Sequence, residues 1–299
     1  MLPMLAPLMA MAGLAVPVLP EGIVGGDPVE PGSHPAVVAV LASGDSCTGT
    51  LLGPDMVITA AHCLWDPTLR PELLYVAVGD AVGERFLPVI DYGFHPEACD
   101  PFVEEGCGPY DVHDYGWIRL GEPAPVDAAA LPVVITDEDL HHRMVRPGAE
   151  VELVGFGEDD DGVIGIKRRV FTSLVALSAS GEDLRAGGNG RDSCLGDSGG
   201  PALVPLEDDR MALVGVLSRG KECGEGGLYG APLPALCWIR DDSGVDVVPP
   251  GCESCDCVDL TPHDEEGCGC TAPAGRPFDG LGWLVLVGLR RRRGHVPGS

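Results

Sequence analysis

Residues 196–201 read Gly196-Asp197-Ser198-Gly199-Gly200-Pro201, so that one serine stands among three glycines. Glycine adopts backbone conformations that a Cβ forbids and lets N–H groups approach a common point. We predict that the N–H groups of Gly196 and Ser198 converge to hold an oxyanion, and that a Cβ at residue 196 would hinder this loop. The stretch therefore indicates a nucleophilic serine beside an oxyanion hole.

Two further segments supply the groups that such a serine needs. Thr59-Ala60-Ala61-His62-Cys63 follows the apolar run Met56-Val57-Ile58, and Asp114 opens the segment Asp114-Tyr115-Gly116-Trp117-Ile118-Arg119-Leu120. A serine hydroxyl is a weak nucleophile at neutral pH and needs a base, for which histidine is suited. The histidine in turn needs a carboxylate that fixes its tautomer and stabilises the imidazolium. The chain order of these groups is His, Asp, Ser.

The remainder of residues 23–248 consists of short apolar runs separated by turn signals. The 43 glycines and 28 prolines favour turns and short strands, and no long stretch keeps a helical period. The pattern predicts an all-β sandwich or a pair of barrels, with the Pro/Ala-rich residues 121–132 as a link between two halves. The clearest predicted strands are Ala36–Leu41, Leu73–Val78, Trp117–Leu120, Glu150–Val154, Val170–Leu177 and Met211–Leu217.

The segments around His62 and Ser198 resemble the trypsin/chymotrypsin family of serine peptidases, and the resemblance covers roughly residues 23–240. The order His, Asp, Ser separates this family from the subtilisin and α/β-hydrolase arrangements. The resemblance implies a chymotrypsin-like fold of two packed six-stranded antiparallel β-barrels, at about residues 23–125 and 126–248. It places the active site between the two barrels.

The same resemblance assigns the catalytic roles. It implies Ser198 as nucleophile, His62 as base and Asp114 as the orienting carboxylate, with Gly196 and Ser198 as the oxyanion hole. Asp111 is the alternative carboxylate, but only Asp114 is followed by the apolar alternation that the family shows after its catalytic aspartate. We expect a secreted serine endopeptidase that acts through an acyl-enzyme.

Specificity is inferred from Asp192, six residues before Ser198, where trypsin-like members place the floor of the S1 pocket. A carboxylate there pairs with a substrate Arg or Lys. Ser218-Arg219-Gly220 resembles the Ser-Trp-Gly segment that pairs with the substrate backbone, and Arg219 departs from it by adding a positive charge near the cleft. Gly220 and Gly227 leave the pocket open. The alternative is that Asp192 is a solvated loop residue and that the specificity is not tryptic.

Activation is inferred from Ile23-Val24-Gly25-Gly26. In the family, a cut before this isoleucine frees an ammonium group that pairs with the aspartate preceding the nucleophile, here Asp197. Burial of Asp197 would be costly without a partner charge. Trypsin-like zymogens are usually cut after a basic residue, whereas this chain has Glu21-Gly22, so we expect another peptidase to cut the Gly22–Ile23 bond. Residues 1–22 are interpreted as an apolar signal peptide with a short propeptide.

The C-terminal residues differ in composition from the rest. Residues 249–277 are predicted to form a Cys-rich linker, and residues 278–299 hold a short apolar segment followed by four arginines, Arg290–Arg293. The apolar segment is shorter than the about 20 residues of a spanning helix. The arrangement resembles the C-terminal sorting tags of myxobacterial surface proteins. It implies transient membrane or cell-surface association, so that the protein is secreted or anchored at the outer cell surface.

The 12 cysteines indicate disulfide bonds in an oxidising compartment. The resemblance implies the pairs Cys47–Cys63 and Cys194–Cys223, while Cys99 and Cys107 lie in one loop and are expected to pair locally. Cys237 lacks a partner within the domain and is expected to bond one of the five tail cysteines. Zinc bound by the tail cysteines is the alternative. We predict no required metal and no cofactor, and we place the pair His141-His142 on the surface.

The formal net charge of −27 argues against a nucleic-acid partner, because phosphate binding needs clustered Lys and Arg. The expected partners are protein or peptide substrates and an activating peptidase, and we expect a monomer. The alternative functions are a serine peptidase of non-tryptic specificity and a surface binding protein built on an inactive peptidase fold.

Overall fold

The computed structural model describes residues 23–99, 113–159, 162–220 and 222–263. Its regular structure consists mainly of antiparallel strands. The strands are β1 Asp27–Pro28, β2 Val37–Ala42, β3 Asp45–Leu51, β4 Met56–Thr59, β5 Leu74–Val78, β6 Arg85–Phe94, β7 Gly116–Leu120, β8 Glu150–Gly155, β9 Arg168–Leu177, β10 Asp183–Ala186, β11 Pro201–Pro205, β12 Met211–Gly220 and β13 Gly227–Gly230. The helices are α1 Glu138–Met144, α2 Leu233–Ser243 and three 3₁₀ turns, Ala61–Cys63, Pro71–Leu73 and Ala128–Ala130.

The first barrel is closed in the order β2-β3-β4-β7-β6-β5. Side chains alternate across a strand, so each strand presents two faces. In β2, Val38 and Val40 fill the barrel interior, whereas Val37 and Ala39 join the core that the first barrel shares with the second. Burial on both faces explains why this strand reads as a continuous apolar run.

The second barrel follows the order β8-β9-β10-β13-β12-β11 and is closed by the pairing of β8 with β9. The prediction of two six-stranded antiparallel barrels is therefore confirmed. Strand β1 pairs with the first residues of β9, with Asp27 opposite Arg169, and Ile23 belongs to the apolar core of the second barrel. The residues at the start of the described chain thus pack on the second barrel, although they precede the first in sequence.

The predicted strands are confirmed to within three residues at their ends, and helix α2 is a structure that the sequence pattern did not indicate. Leu233, Leu236 and Ile239 of α2 are buried against the core between the barrels. The expectation that His141-His142 lies on the surface is wrong for His141, which is only 9% exposed on α1. None of the helices in the described ranges is long and apolar enough to cross a membrane.

The first residues of the predicted Cys-rich linker pack on the two barrels. Cys252 and Val258 are buried in the core that also receives α2. Two disulfides fix the segment, Cys237–Cys255 and Cys252–Cys257, so that Cys237 does bond a tail cysteine. These three tail cysteines are not free to hold zinc as thiolates. The other predicted tail features lie outside the described residues.

Candidate active site

Three elements bring the predicted catalytic side chains to the junction of the barrels. His62 lies in the 3₁₀ turn after β4, Asp114 lies just before β7, and Ser198 lies in the turn before β11. Strands β4 and β7 are paired, with Thr59 opposite Gly116, so the first barrel places His62 beside Asp114. The second barrel supplies Ser198.

Asp114 holds His62 with two hydrogen bonds. His62 Nδ1 lies 2.8 Å from Asp114 Oδ2, and the His62 backbone N–H donates to Oδ1 at 3.0 Å. Burial alone would raise the pKa of Asp114, but the hydrogen bonds from His62 and Ser218 outweigh it and hold that pKa below its usual range. An ionised carboxylate accepts only, so Nδ1 carries the proton and Nε2 is left to act as a base. The alternative carboxylate, Asp111, lies outside the described residues.

The Ser198 loop is fastened to the first barrel through Thr48. The Thr48 backbone N–H donates to the Ser198 carbonyl at 2.8 Å, and its hydroxyl donates to the Gly196 carbonyl at 3.0 Å. Gly199 also packs against the backbone of the first barrel. A Cβ at this position would lie 2.5 Å from the Thr48 carbonyl oxygen and 2.6 Å from the Ala60 nitrogen. With a φ of +79°, residue 199 has both a conformational and a steric reason to be glycine.

The backbone of the predicted oxyanion hole adopts a conformation that favours glycine at residue 196. Gly196 has a φ of +93°, which disfavours any residue with a Cβ, and such a Cβ would lie 3.0 Å from Gly157 Cα. Within the described part of the chain, the N–H groups of Gly196 and Ser198 donate to no protein acceptor. They remain available for a developing oxyanion.

Asp197 is buried beneath this loop. Its carboxylate accepts hydrogen bonds from the N–H groups of Gly157 at 2.7 Å and Cys194 at 2.8 Å. Burial is the main reason that the pKa of Asp197 is raised to about 7, since no cation among the described residues pairs with it. Ile23, which is 1% exposed, lines the same small cavity as Asp197.

Asp192 lines a cavity of about 110 Å³ that Ser198 also lines. Its carboxylate is buried, and it accepts from the N–H groups of Ser193 at 2.8 Å and Gly226 at 2.5 Å. Burial raises its pKa despite these hydrogen bonds. Gly220 and Gly227 form walls of the cavity, and the disulfide Cys194–Cys223 closes one side. Asp192 is therefore not a solvated loop residue.

The structure adds roles that sequence reasoning missed. The Ser218 hydroxyl donates to Asp114 Oδ2 at 2.7 Å, so its side chain orients the carboxylate. Glu222, Arg219 and Leu195 also line the cavity, and Leu195 is 68% exposed. No sequence signal marks Leu195 or Glu222, because their positions depend on how the two loops fold together.

The sulfur atoms near the active site are not metal ligands. Cys47 and Cys63 lie close enough to His62 to suggest a metal centre, but they form a disulfide with an S–S length of 1.99 Å. A disulfide offers no thiolate to a metal. Cys99 is also disulfide-bonded, and its predicted partner Cys107 lies outside the described residues.

Two closed antiparallel barrels, with a histidine–aspartate pair on one and a glycine-bounded serine on the other, define the class of chymotrypsin-like proteins. The family model described as Trypsin matches residues 23–236, and the chain belongs to the trypsin family of serine peptidases.

Several curated relatives are similar to this chain. Bovine (Bos taurus) coagulation factor XII is 29% identical over 248 residues, which is 73% of this chain and 39% of that protein. CLIP domain-containing serine protease B10 of Anopheles gambiae is 31% identical over 66% of this chain and 61% of its own length. Mannan-binding lectin serine protease 1 of Mus musculus is 27% identical over 75% of this chain and 35% of its length. The chain thus spans less than two thirds of each of these relatives.

Proposed function

We propose that this chain is a serine endopeptidase whose nucleophile is Ser198. The observation that carries the proposal is the doubly hydrogen-bonded Asp114–His62 pair, in which protonation at Nδ1 leaves His62 Nε2 to act as the base. Side-chain exposure is consistent with these roles, since Asp114 is buried and the His62 side chain is 32% exposed.

In the proposed reaction, Ser198 Oγ attacks the substrate carbonyl carbon while His62 Nε2 takes the hydroxyl proton. The carbonyl oxygen becomes an oxyanion that accepts from the N–H groups of Gly196 and Ser198, each worth about 3 kcal/mol of transition-state stabilisation. Collapse breaks the C–N bond, and His62 returns the proton to the leaving amine. A water molecule then repeats the sequence and releases the acid from Ser198.

We further propose cleavage after Arg or Lys. A buried carboxylate in the lining of the cavity supports this specificity, because a substrate guanidinium or ammonium would supply a positive partner for Asp192. Gly220 and Gly227 line the cavity that such a side chain would enter, whereas the Ser218 hydroxyl is directed to Asp114.

Activation by cleavage of the Gly22–Ile23 bond forms part of the same proposal. It is supported by the burial of Ile23 beside Asp197 and by the raised pKa of that carboxyl. A new ammonium at Ile23 would stabilise the ionised form of Asp197 and order the neighbouring oxyanion loop.

We also propose that the protein acts outside the cytoplasm, as a monomer, on protein or peptide substrates. Its disulfide bonds support an oxidising compartment. Sorting to the cell surface through residues 278–299 is a separate proposal, which deletion of those residues tests by following the protein to the medium or the surface.

The decisive experiment is hydrolysis of a peptide library by protein that begins at Ile23, beside a Ser198→Ala control. We expect cleavage after Arg and Lys that vanishes in the control. Cleavage after other residues would support the serine endopeptidase but overturn the proposed role of Asp192 in specificity. If the protein is folded, has a free Ile23 amine and cleaves no peptide, the result would favour a surface binding protein built on an inactive peptidase fold.

A further inference from the structure

A cluster of metal-ligating side chains lies apart from the active-site residues. Glu138 and His142 lie on α1, and His263 lies beyond the two tail disulfides. One ligand atom from each side chain lies within 4.8 Å of the other two. The rings of His142 and His263 are perpendicular, with centroids 4.0 Å apart. We propose that these three side chains bind a zinc ion.

His142 carries the strongest indication of a ligand. Its Nε2 atom is buried from solvent and has no hydrogen-bond partner among the described residues. Buried polar nitrogens are almost always hydrogen-bonded, so an unpartnered one needs an explanation. A bound cation supplies the missing interaction, because neutral imidazole nitrogen is a good metal ligand.

Glu138 is held in a position suited to ligation. Its Oε2 accepts a hydrogen bond from the Asp259 backbone N–H at 3.2 Å, which fixes the carboxylate from outside the cluster. Outer hydrogen bonds of this kind orient ligating side chains in metal sites. Glu138 and His142 are four residues apart, so they share one face of the helix.

The chemistry of the three ligands selects the class of metal. Two imidazoles and one carboxylate suit zinc, whereas calcium and magnesium prefer oxygen ligands alone. Tetrahedral zinc with bonds near 2.0–2.1 Å holds its ligands roughly 3.3 Å apart, so side-chain rotations would close the cluster around the ion. Water would complete the coordination.

The proposed ion would fasten the tail segment to the catalytic domain. Residues 249–263 are already attached through Cys237–Cys255 and the buried Val258, and His263 is the last described residue. Zinc bridging α1 and His263 would fix the point from which the remaining C-terminal residues depart. This role is independent of Ser198 and its neighbours.

Zinc titration of the metal-stripped full chain tests the site. We expect one zinc with micromolar or tighter affinity, and at least tenfold weaker binding in His142→Ala and in His263→Ala. Asp139→Asn is the matched control, because Asp139 is an exposed acid of the same helix outside the cluster. Zinc should also slow hydrogen exchange of residues 249–263 in the unmodified chain and in Asp139→Asn only.

Cobalt substitution separates this site from zinc bound by tail cysteines, because thiolate ligands give an intense near-ultraviolet charge-transfer band. A cobalt spectrum without that band is expected. Equal zinc affinity in all four proteins, or a thiolate band retained in His263→Ala at unchanged affinity, would overturn the proposal. His263 is exposed, so its variant tests the site even if His142→Ala fails to fold.

Discussion

At the residue scale, the hydrogen bond from Ser218 to Asp114 is the most informative contact in the site. The serine hydroxyl donates to the same oxygen, Oδ2, that His62 Nδ1 contacts. A hydrogen bond to a charged group contributes about 1.5–3 kcal/mol. Ser218 is therefore a positioning residue that keeps Asp114 ionised and correctly oriented.

Replacement Ser218→Ala should lower kcat/KM by roughly 10- to 100-fold, because Asp114 loses that hydrogen bond. The hydroxyl helps to lower the pKa of Asp114, so its removal should raise that pKa. A more basic Asp114 carboxylate stabilises the imidazolium form of His62 more strongly, so the acid limb of kcat/KM, on which His62 becomes protonated, should move to higher pH. A pH–rate series of both proteins checks this. A uniform loss with an unshifted profile would contradict the electrostatic role.

Gly199 gives a second prediction at the same scale. Gly199→Ala places a Cβ against backbone atoms of Thr48 and Ala60 at a φ of +79°. The left-handed conformation alone costs about 1–2 kcal/mol, and the backbone contact adds to it. We expect the free energy of unfolding to fall by more than about 2 kcal/mol, with loss of hydrolysis. Gly53→Ala is the control, since nothing lies within 4 Å of its Cβ position. Equal denaturant midpoints for both variants would contradict the argument.

At the element scale, β12 and β13 and the loops beside them form the walls of the specificity cavity. Strand β12 ends at Gly220 and β13 begins at Gly227, and these two residues lie opposite each other in the antiparallel pair. The register of β12 on β13 therefore brings two residues without side chains together in the lining of the cavity.

Asp192→Asn tests the charge at the end of this cavity. The variant keeps nearly the same shape and removes the carboxylate charge, so kcat/KM for Arg and Lys substrates should fall by at least about 100-fold, consistent with loss of a buried charge pair. Hydrolysis of an activated ester with a small apolar acyl group should change little and serves as the internal control. If the variant still cleaves after Arg and Lys at an unchanged rate, Asp192 does not recognise the substrate side chain.

The elements predicted correctly from the sequence are those whose apolar pattern follows directly from their burial. Strands such as β2 are apolar on both faces because each face packs on a different core, and that pattern is visible in one dimension. Helix α2 was not predicted, although its buried Leu233, Leu236 and Ile239 are spaced three residues apart. The helix is short, and Pro234, Cys237 and Trp238 between these positions hide the difference between its buried and exposed faces. The short strand β10 likewise lacks a strong alternation.

Much of the candidate site was also readable, because its motifs are local. His62 and Ser198 each stand in a short motif whose residue types suit nucleophilic catalysis, and Asp192 was assigned through the family resemblance. The contact of Ser218 with Asp114 and the approach of His263 to Glu138 join residues that are distant in sequence, and no local pattern encodes them. Tertiary packing alone creates these pairs.

At the scale of the whole molecule, the proposed cleavage before Ile23 would change the stability of the protein through Asp197. Without an ammonium partner, its pKa is about 7 in the folded chain, against an ordinary value of 3.8. Between these values the folded state binds more protons than the unfolded state, so the stability of the precursor must fall as the pH rises from about 4 to about 7. The full effect is on the order of 4 kcal/mol.

Cleavage before Ile23 should remove this penalty, because the new ammonium stabilises the ionised carboxylate. We expect cleavage to raise Tm at pH 7 by several degrees and to change it little near pH 4, where Asp197 is protonated. Calorimetry of uncleaved and cleaved Ser198→Ala protein measures the difference. Adding Asp197→Asn to both forms should abolish the pH dependence of that difference, since an amide does not ionise. An equal rise in Tm at both pH values would mean that cleavage stabilises the fold without an ion pair between the Ile23 ammonium and the Asp197 carboxylate.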